Sequence, residues 1–185
     1  MIFDLDNTIY RETDFLFRVY KEISNKATHH QPKLIFKFLK TTFSKDGRFQ
    51  IFDKLKKKFT SEHFNIQECL SILRNYKCEN CIDTYPWFNK FLSQMNSDYT
   101  IKIITNGEPQ QQQNKIYSIK FNWPQELIEV VYASSIESKP STLSFYRLNG
   151  VENFINPIYV GDSLVDKKFC SQLGIEFYNS TKLYS

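Results

Sequence analysis

An α/β sandwich of three layers, with a mainly parallel sheet and an inserted all-helical segment, is the fold this sequence predicts. Three observations carry the prediction. Short apolar runs alternate with helical patterns over most of the chain, the order that parallel strands joined by crossover helices require. The runs are nearly continuous rather than alternating in polarity, as suits a sheet covered on both faces. Residues 13–81 alone break the alternation, holding helical patterns only. A chain of 185 residues, 41% of them hydrophobic, can bury an ordinary core. With 17 Phe against 5 Gly, aromatic rings fill much of it.

The first strand is MIFDLD, residues 1–6. The helical insertion follows, with patterns at Phe15–Ile23, Leu34–Phe43, Phe49–Phe59 and Ile66–Tyr76. Breaks fall at His30-Gln31-Pro32, Lys45-Asp46-Gly47 and Ser61-Glu62-His63. Beyond the insertion, Tyr85-Pro86-Trp87-Phe88 leads into a helix carrying Phe88, Phe91, Leu92 and Met95. The second strand, TIKIITN, spans 100–106, and Pro109 starts a helix through Lys115 and Ile116. The third strand is IEVVYA (128–133), and a helix over Ser141–Leu148 is stopped by Asn149-Gly150. PIYVGD (157–162) is the fourth strand, Leu164–Leu173 a helix ended by Gly174, and IEFYN (175–179) the last strand. The domain expectation is a core of residues 1–12 and 82–185, with 13–81 as a helical cap. Gln110–Gln113 read as a helix's wet face, and Trp87 and Trp123 as packing residues. Phe15, Phe17, Tyr20 and Phe36 read either as the insertion's own core or as the lining of a substrate pocket under it.

Net charge is +4, yet Lys33–Lys58 alone holds nine Lys/Arg against two Asp/Glu. An amphipathic helix pair with a solvated Lys face accounts for this, with a modest steering of anionic substrates as the alternative; no recognised nucleic-acid motif accompanies it, so nucleic acid is not an expected partner. No apolar run is long enough for a membrane span, and the start lacks a signal-peptide pattern. Cys69, Cys78, Cys81 and Cys170 are too few for a disulfide scaffold, so reduced thiols and a cytoplasmic location are expected. Cys78-Glu79-Asn80-Cys81 reads as two ordinary thiols, since a zinc site would need further ligands from Cys69 and the histidines. His29 and His30 read as exposed polar surface. Oligomeric state has no signature.

The chemistry lies at the strand ends. Asp4 and Asp6 interrupt the first apolar run two residues apart, on one face of a strand. Two buried carboxylates are costly unless a cation or a shared proton compensates. In YVGDSLVD, Asp162 follows another apolar run directly and Asp166 comes one helical turn later. Were these strands neighbours, the carboxylates would converge at one sheet edge and suit a hard divalent ion, Mg²⁺ above all. IITNG offers Thr105 and Asn106 with a turn at Gly107, and ESKPS offers Lys139 before a proline. Hydroxyl, amide and ammonium groups facing such a centre make a pocket for phosphoryl oxygens.

These motifs together resemble the haloacid dehalogenase-like (HAD) superfamily, specifically its phosphatases. Asp4-Leu5-Asp6-Asn7-Thr8 matches the first motif, Thr105 the second, Lys139-Pro140 the third, and Gly161-Asp162-Ser163-Leu164-Val165-Asp166 the fourth. TNGEPQQQQNKI is similar to a segment of the N-acylneuraminate-9-phosphatase, nucleotidase and phosphoglycolate phosphatase group, where a Gln and a Lys also follow Thr-Asn-Gly. The resemblance implies a Rossmann-like core with a helical cap. It implies Asp4 as nucleophile, Asp6 as general acid and base, and Mg²⁺ held by the Asp4 side chain, the Asp6 carbonyl and Asp162. Asp166 would stand in the metal's outer shell, and Thr105, Asn106, Gly107 and Lys139 would bind substrate, with Thr105 and Lys139 also aiding catalysis. Thr8 would support the loop. The implied function is Mg²⁺-dependent hydrolysis of a small phosphorylated metabolite (a sugar, sialic-acid-type or nucleoside phosphate) through an aspartyl-phosphate. Phosphoryl transfer to another sugar and a non-catalytic binding domain are the alternatives.

Overall fold

Ile2 and Phe3 form the middle strand of a five-stranded, wholly parallel sheet in the computed structural model, which describes residues 1–26, 31–59 and 65–184. The strands are β1 (Ile2–Phe3), β2 (Ile82–Asp83), β3 (Ile101–Thr105), β4 (Ile119–Lys120), β5 (Ile128–Tyr132), β6 (Ile158–Gly161) and β7 (Glu176–Asn179). The α-helices are α1 (Glu12–Lys26), α2 (Pro32–Asp46), α3 (Ile51–Lys58), α4 (Ile66–Asn75), α5 (Pro86–Leu92), α6 (Pro109–Ser118) and α7 (Leu164–Leu173). The main sheet runs β5-β3-β1-β6-β7. From β1 the order builds outward through β3 to β5, then returns to β6 on the other side. Such a reversal leaves a crevice at the carboxyl ends of the central strands. Asp4, Thr105 and Asp162 all lie at that edge, after or at the ends of β1, β3 and β6.

The period of two sends neighbouring side chains of β1 to opposite layers. Ile2 joins Ile104, Val131, Phe145, Tyr159 and Phe169 in one buried cluster. Phe3 instead meets the rings of Phe88 at 5.4 Å and Phe91 at 5.5 Å. Trp87 packs beside Phe3 in the same group, and Trp123 donates its indole N–H to the Tyr99 carbonyl at 2.9 Å. Burying each Ile or Phe of these layers contributes about 1.5–3 kcal/mol.

The chain divides into two compact units, Met1–Glu12 with Lys77–Ser185, and Thr13–Tyr76. The second unit is helical. Ile35 and Leu39 of α2 and Ile51, Phe52 and Leu55 of α3 are buried, while Lys56, Lys57 and Lys58 are exposed. Lys54 pairs with Asp46 at 2.8 Å. The basic stretch is therefore the polar side of amphipathic helices. No helix among the described residues is long and apolar enough to cross a membrane.

Several expectations need correction. The first apolar run is strand only over Ile2–Phe3, extended by one bond from the Asp4 N–H to the Val160 carbonyl at 2.8 Å. Leu5 then starts a tight turn, closed by the Ile9 N–H on its carbonyl at 3.1 Å, with Asn7 at φ 53°. Asp6 thus sits in that turn and not on the strand. Residues 142–147, expected as an α-helix, form a 3₁₀ helix instead. A two-residue parallel ladder of β2 with β4 has no counterpart in the sequence pattern, because no periodicity shows in two residues. Cys78 and Cys81, expected as thiols, are joined in a disulfide. The turn at Asn80 (φ 45°) brings their Cα atoms to 5.7 Å, and both backbone N–H groups dock on Ser118. Cys69 and Cys170 are free and buried. The expectations for His29, His30 and the break at residues 61–63 fall outside the described residues.

Candidate active site

Lys139 is the hub of the site. It is 5% exposed, and its Nζ donates to Asp4 Oδ1 at 2.7 Å, Asp166 Oδ1 at 2.6 Å, the Tyr159 hydroxyl at 2.7 Å and the Ile104 carbonyl at 3.0 Å. A buried ammonium needs such partners. Burial pulls its pKa down, but Asp4 and Asp166 more than offset this and hold it above the ordinary lysine value. The loop bearing it is fixed by Asn106, whose amide accepts from the Lys139 N–H at 2.8 Å and donates to the Lys139 carbonyl at 3.1 Å. Thr105 is buried at the end of β3, with its hydroxyl on the Asn106 carbonyl at 3.2 Å.

Asp166 is held from two sides. At the start of α7 it forms a reciprocal cap with Ser163, accepting the Ser163 hydroxyl at 2.6 Å and N–H at 3.2 Å on Oδ2, while Ser163 Oγ accepts the Asp166 N–H. Its other oxygen takes Lys139. Gly161 is required here by close approach, since a Cβ at that position would lie 2.8 Å from the Asp166 carboxylate carbon.

One carboxylate oxygen from each of Asp4, Asp162 and Asp166 lies within 4.8 Å of the other two. Burial first, then the neighbouring Asp166 and Asp6, pushes Asp4 up to about 7 against the pull of Lys139. Burial and Asp166 likewise raise Asp162 to about 6. Protein donors cover both oxygens of Asp166, so Asp4 and Asp162 are the carboxylates that want a cation. Hard carboxylate oxygens are the donor type that suits a divalent ion such as Mg²⁺.

A pH dependence follows. A carboxyl whose folded pKa is raised contributes stability that is present below its ordinary value, near 3.8, and lost as pH rises through about 6 and about 7. Metal-free protein should therefore melt at lower temperature at about pH 8 than at about pH 5, as far as these two groups decide. Added Mg²⁺ should raise Tm more at the higher pH, because it binds the deprotonated pair. Thermal melts across that window, with and without metal, check both; an Mg²⁺ shift larger at low pH would contradict this assignment.

Asp6 does not join that cluster. Its Oδ1 accepts the Tyr10 hydroxyl at 2.6 Å, and its Oδ2 accepts Lys115 Nζ at 2.5 Å and the Gln112 amide at 3.3 Å. Gln112 also donates to the Asn106 carbonyl at 2.6 Å and packs where a Cβ of Gly107 would be. Gly107, at φ 116°, thus serves both the turn and this contact. The expectation of a wet face at Gln110–Gln113 fails for its middle: Gln111 and Gln112 are buried, and Gln112 turns its amide toward Asp6 and the Asn106 loop. Sequence reasoning also missed Tyr159, which reads as a core aromatic in an apolar strand. Thr8 is buried, with its hydroxyl 3.4 Å from Ser180 Oγ.

Buried carboxylates from the end of β1 and the first turn of α7 meet one lysine at the carboxyl edge of the sheet, where α/β folds bind their ligands. The profile of the haloacid dehalogenase-like hydrolases matches residues 1–179, and the chain belongs to that family. No curated protein sequence matches it. Solved structures with the same fold include a proposed HAD hydrolase of Bacillus subtilis, YfnB, bound to magnesium. It is 19% identical, with a TM-score of 0.57, over 95% of this chain and 85% of that one. A proposed phosphoglycolate phosphatase of Lactobacillus plantarum is 16% identical, with a TM-score of 0.51, over 95% and 83%. The L-2-haloacid dehalogenase of Xanthobacter autotrophicus is 12% identical, with a TM-score of 0.51, over 96% and 75%.

Proposed function

We propose that the protein is a Mg²⁺-dependent phosphomonoester hydrolase of a small phosphorylated metabolite, acting through an aspartyl-phosphate on Asp4. What supports this most is the buried Lys139 between Asp4 and Asp166, with Asp162 alongside. The side chains of Asp4 and Asp162, with the Asp6 carbonyl, would hold the ion, which when bound offsets the repulsion between carboxylate and phosphate. An Asp4 oxygen attacks phosphorus as the bond to the leaving oxygen breaks; Asp6, an ion-paired carboxylate in the free protein, takes up a proton when substrate binds and gives it to that oxygen. Asp6 then takes a proton from the water that attacks phosphorus, releasing phosphate and restoring Asp4. Lys139 and Thr105 stabilise charge on the transferring group, and Asn106 keeps the Lys139 loop in place. Asp166 orients Lys139.

The dehalogenase among the similar folds raises a second reading, displacement of halide from carbon. Halide leaves without a proton, whereas an alkoxide needs one, so a second carboxylate in Asp6 favours the phosphate ester. Transfer to a sugar acceptor instead of water is the alternative within the same chemistry. The helical unit Thr13–Tyr76 is proposed to select the leaving group, and sugar phosphates, sialic-acid-type phosphates and nucleoside monophosphates are its candidate substrates. A cytoplasmic location belongs to the same reading.

A screen of several dozen phosphomonoesters and 2-haloacids, with Mg²⁺ and with EDTA, tests the proposal. Phosphate release that EDTA stops and Mg²⁺ restores is expected. Halide release alone, or phosphate release at equal rate in EDTA, would overturn it.

A further inference from the structure

Lys115 is fully buried, yet it lies in a helix whose inward face carries amides and hydroxyls in place of an apolar stripe. Its ammonium meets two carboxylates, Asp6 at 2.5 Å and Glu12 at 3.3 Å. Removing a lysine's charge from water is expensive, and a surface position would have avoided that cost. The arrangement has a definite geometric result. The Asp6 carboxylate takes the Lys115 ammonium and the Gln112 amide on one oxygen and the Tyr10 phenol on the other. An aspartate has only two side-chain torsions, so donors on both oxygens leave it one orientation. Glu12, at the first residue of α1, has its N–H on Asn7 Oδ1 at 3.1 Å, which ties the Lys115 counter-charge to the same turn as Asp6.

We infer that Lys115, balanced by Glu12, is a positioning residue that sets the Asp6 carboxylate for proton transfer to the leaving group. The inference rests on the phosphomonoesterase reading above for the role of Asp6, but the placement of Asp6 by Lys115 is independent of it. Among the described residues the buried Gln112 Oε1 has no hydrogen-bond partner, and its amide lies beside the same carboxylate.

Lys115→Met alone removes the ammonium that Asp6 and Glu12 share and fails to fold if the repulsion between them dominates. The test therefore uses the double variant Lys115→Met/Glu12→Gln, which removes a charge of each sign. Two measurements are made on the whole protein. In the first, kcat/KM is compared for an alkyl phosphomonoester and for p-nitrophenyl phosphate, whose leaving group departs without a proton. A misplaced acid lowers the first by about 10²-fold and the second by less than about threefold. Equal falls on both esters, or none on either, overturn the role. In the second, a crystal structure of the double variant reads the Asp6 side chain directly. The carboxylate is expected to leave its contact with the Tyr10 hydroxyl; an unmoved Asp6 overturns the placement, whatever the turnover. A wild-type protein inactive on both esters defeats the phosphatase reading and with it the proton-transfer role, while the crystal structure still decides the placement.

Discussion

Asp4→Asn leaves the protein folded and removes turnover, by about 10⁴-fold or more in kcat. The substitution keeps shape and hydrogen-bonding capacity but replaces the carboxylate oxygens that would attack phosphorus. Stability should hold or rise. Asp4 is raised to about 7 by burial and by its acidic neighbours, so a neutral side chain relieves repulsion at neutral pH. Loss of activity with an unchanged or higher Tm separates a chemical role from a structural one. Purified Asp4→Asn protein with wild-type turnover would reject the nucleophile. The measurements are steady-state kinetics on the best substrate and a thermal melt of the same sample.

Lys139→Met has the other large effect, and it falls on stability as well as activity. The side chain is buried among Asp4, Asp166, Tyr159 and the Ile104 carbonyl, so its loss strands two carboxylates. Breaking a buried pair from one side costs about 3–5 kcal/mol, a large part of the about 5–15 kcal/mol that holds a domain together. A marked fall in Tm and no measurable turnover are expected. Adding Asp166→Asn removes one of the stranded charges and should return part of the Tm but none of the activity. A single variant with wild-type Tm would mean that Lys139 is solvated in solution. Recovery of activity in the double variant would show that the ammonium is dispensable to the reaction.

The parts of this site that can be read from sequence are those that break a local rule. Asp4 and Asp162 stand out because a carboxylate directly after an apolar run is costly in any core. Lys139 stands out through the proline after it and its order among the other motifs. The five strands of the main sheet are visible as apolar runs, and their parallel order follows from the helices between them. What stays hidden is set by tertiary contacts. Tyr159 looks like any strand aromatic, and only the neighbouring loop shows that its hydroxyl serves Lys139. Gln112 and Lys115 look solvated because polarity without an apolar stripe suggests exposure; the carboxylates they meet are over 100 residues away in sequence. The one local signal was the Gln and Lys that follow Thr-Asn-Gly in similar proteins. The direction of Asp6 depends on the left-handed turn at Asn7, whereas strand alternation would have set it beside Asp4. The short β2–β4 ladder and the Cys78–Cys81 bond likewise depend on Ser118 and its helix end, which no window of neighbouring residues contains.

The most direct test of the central claim is to find the phosphoryl group on the protein. Wild-type protein is mixed with a phosphomonoester it hydrolyses and Mg²⁺, quenched in acid within the first turnover, digested and analysed by mass spectrometry. Phosphate on the peptide that carries Asp4, absent from Asp4→Asn protein and from samples quenched after substrate is exhausted, is the predicted result. Rapid phosphate release with no phosphorylated peptide at any quench time, or with the label on another residue, would contradict it.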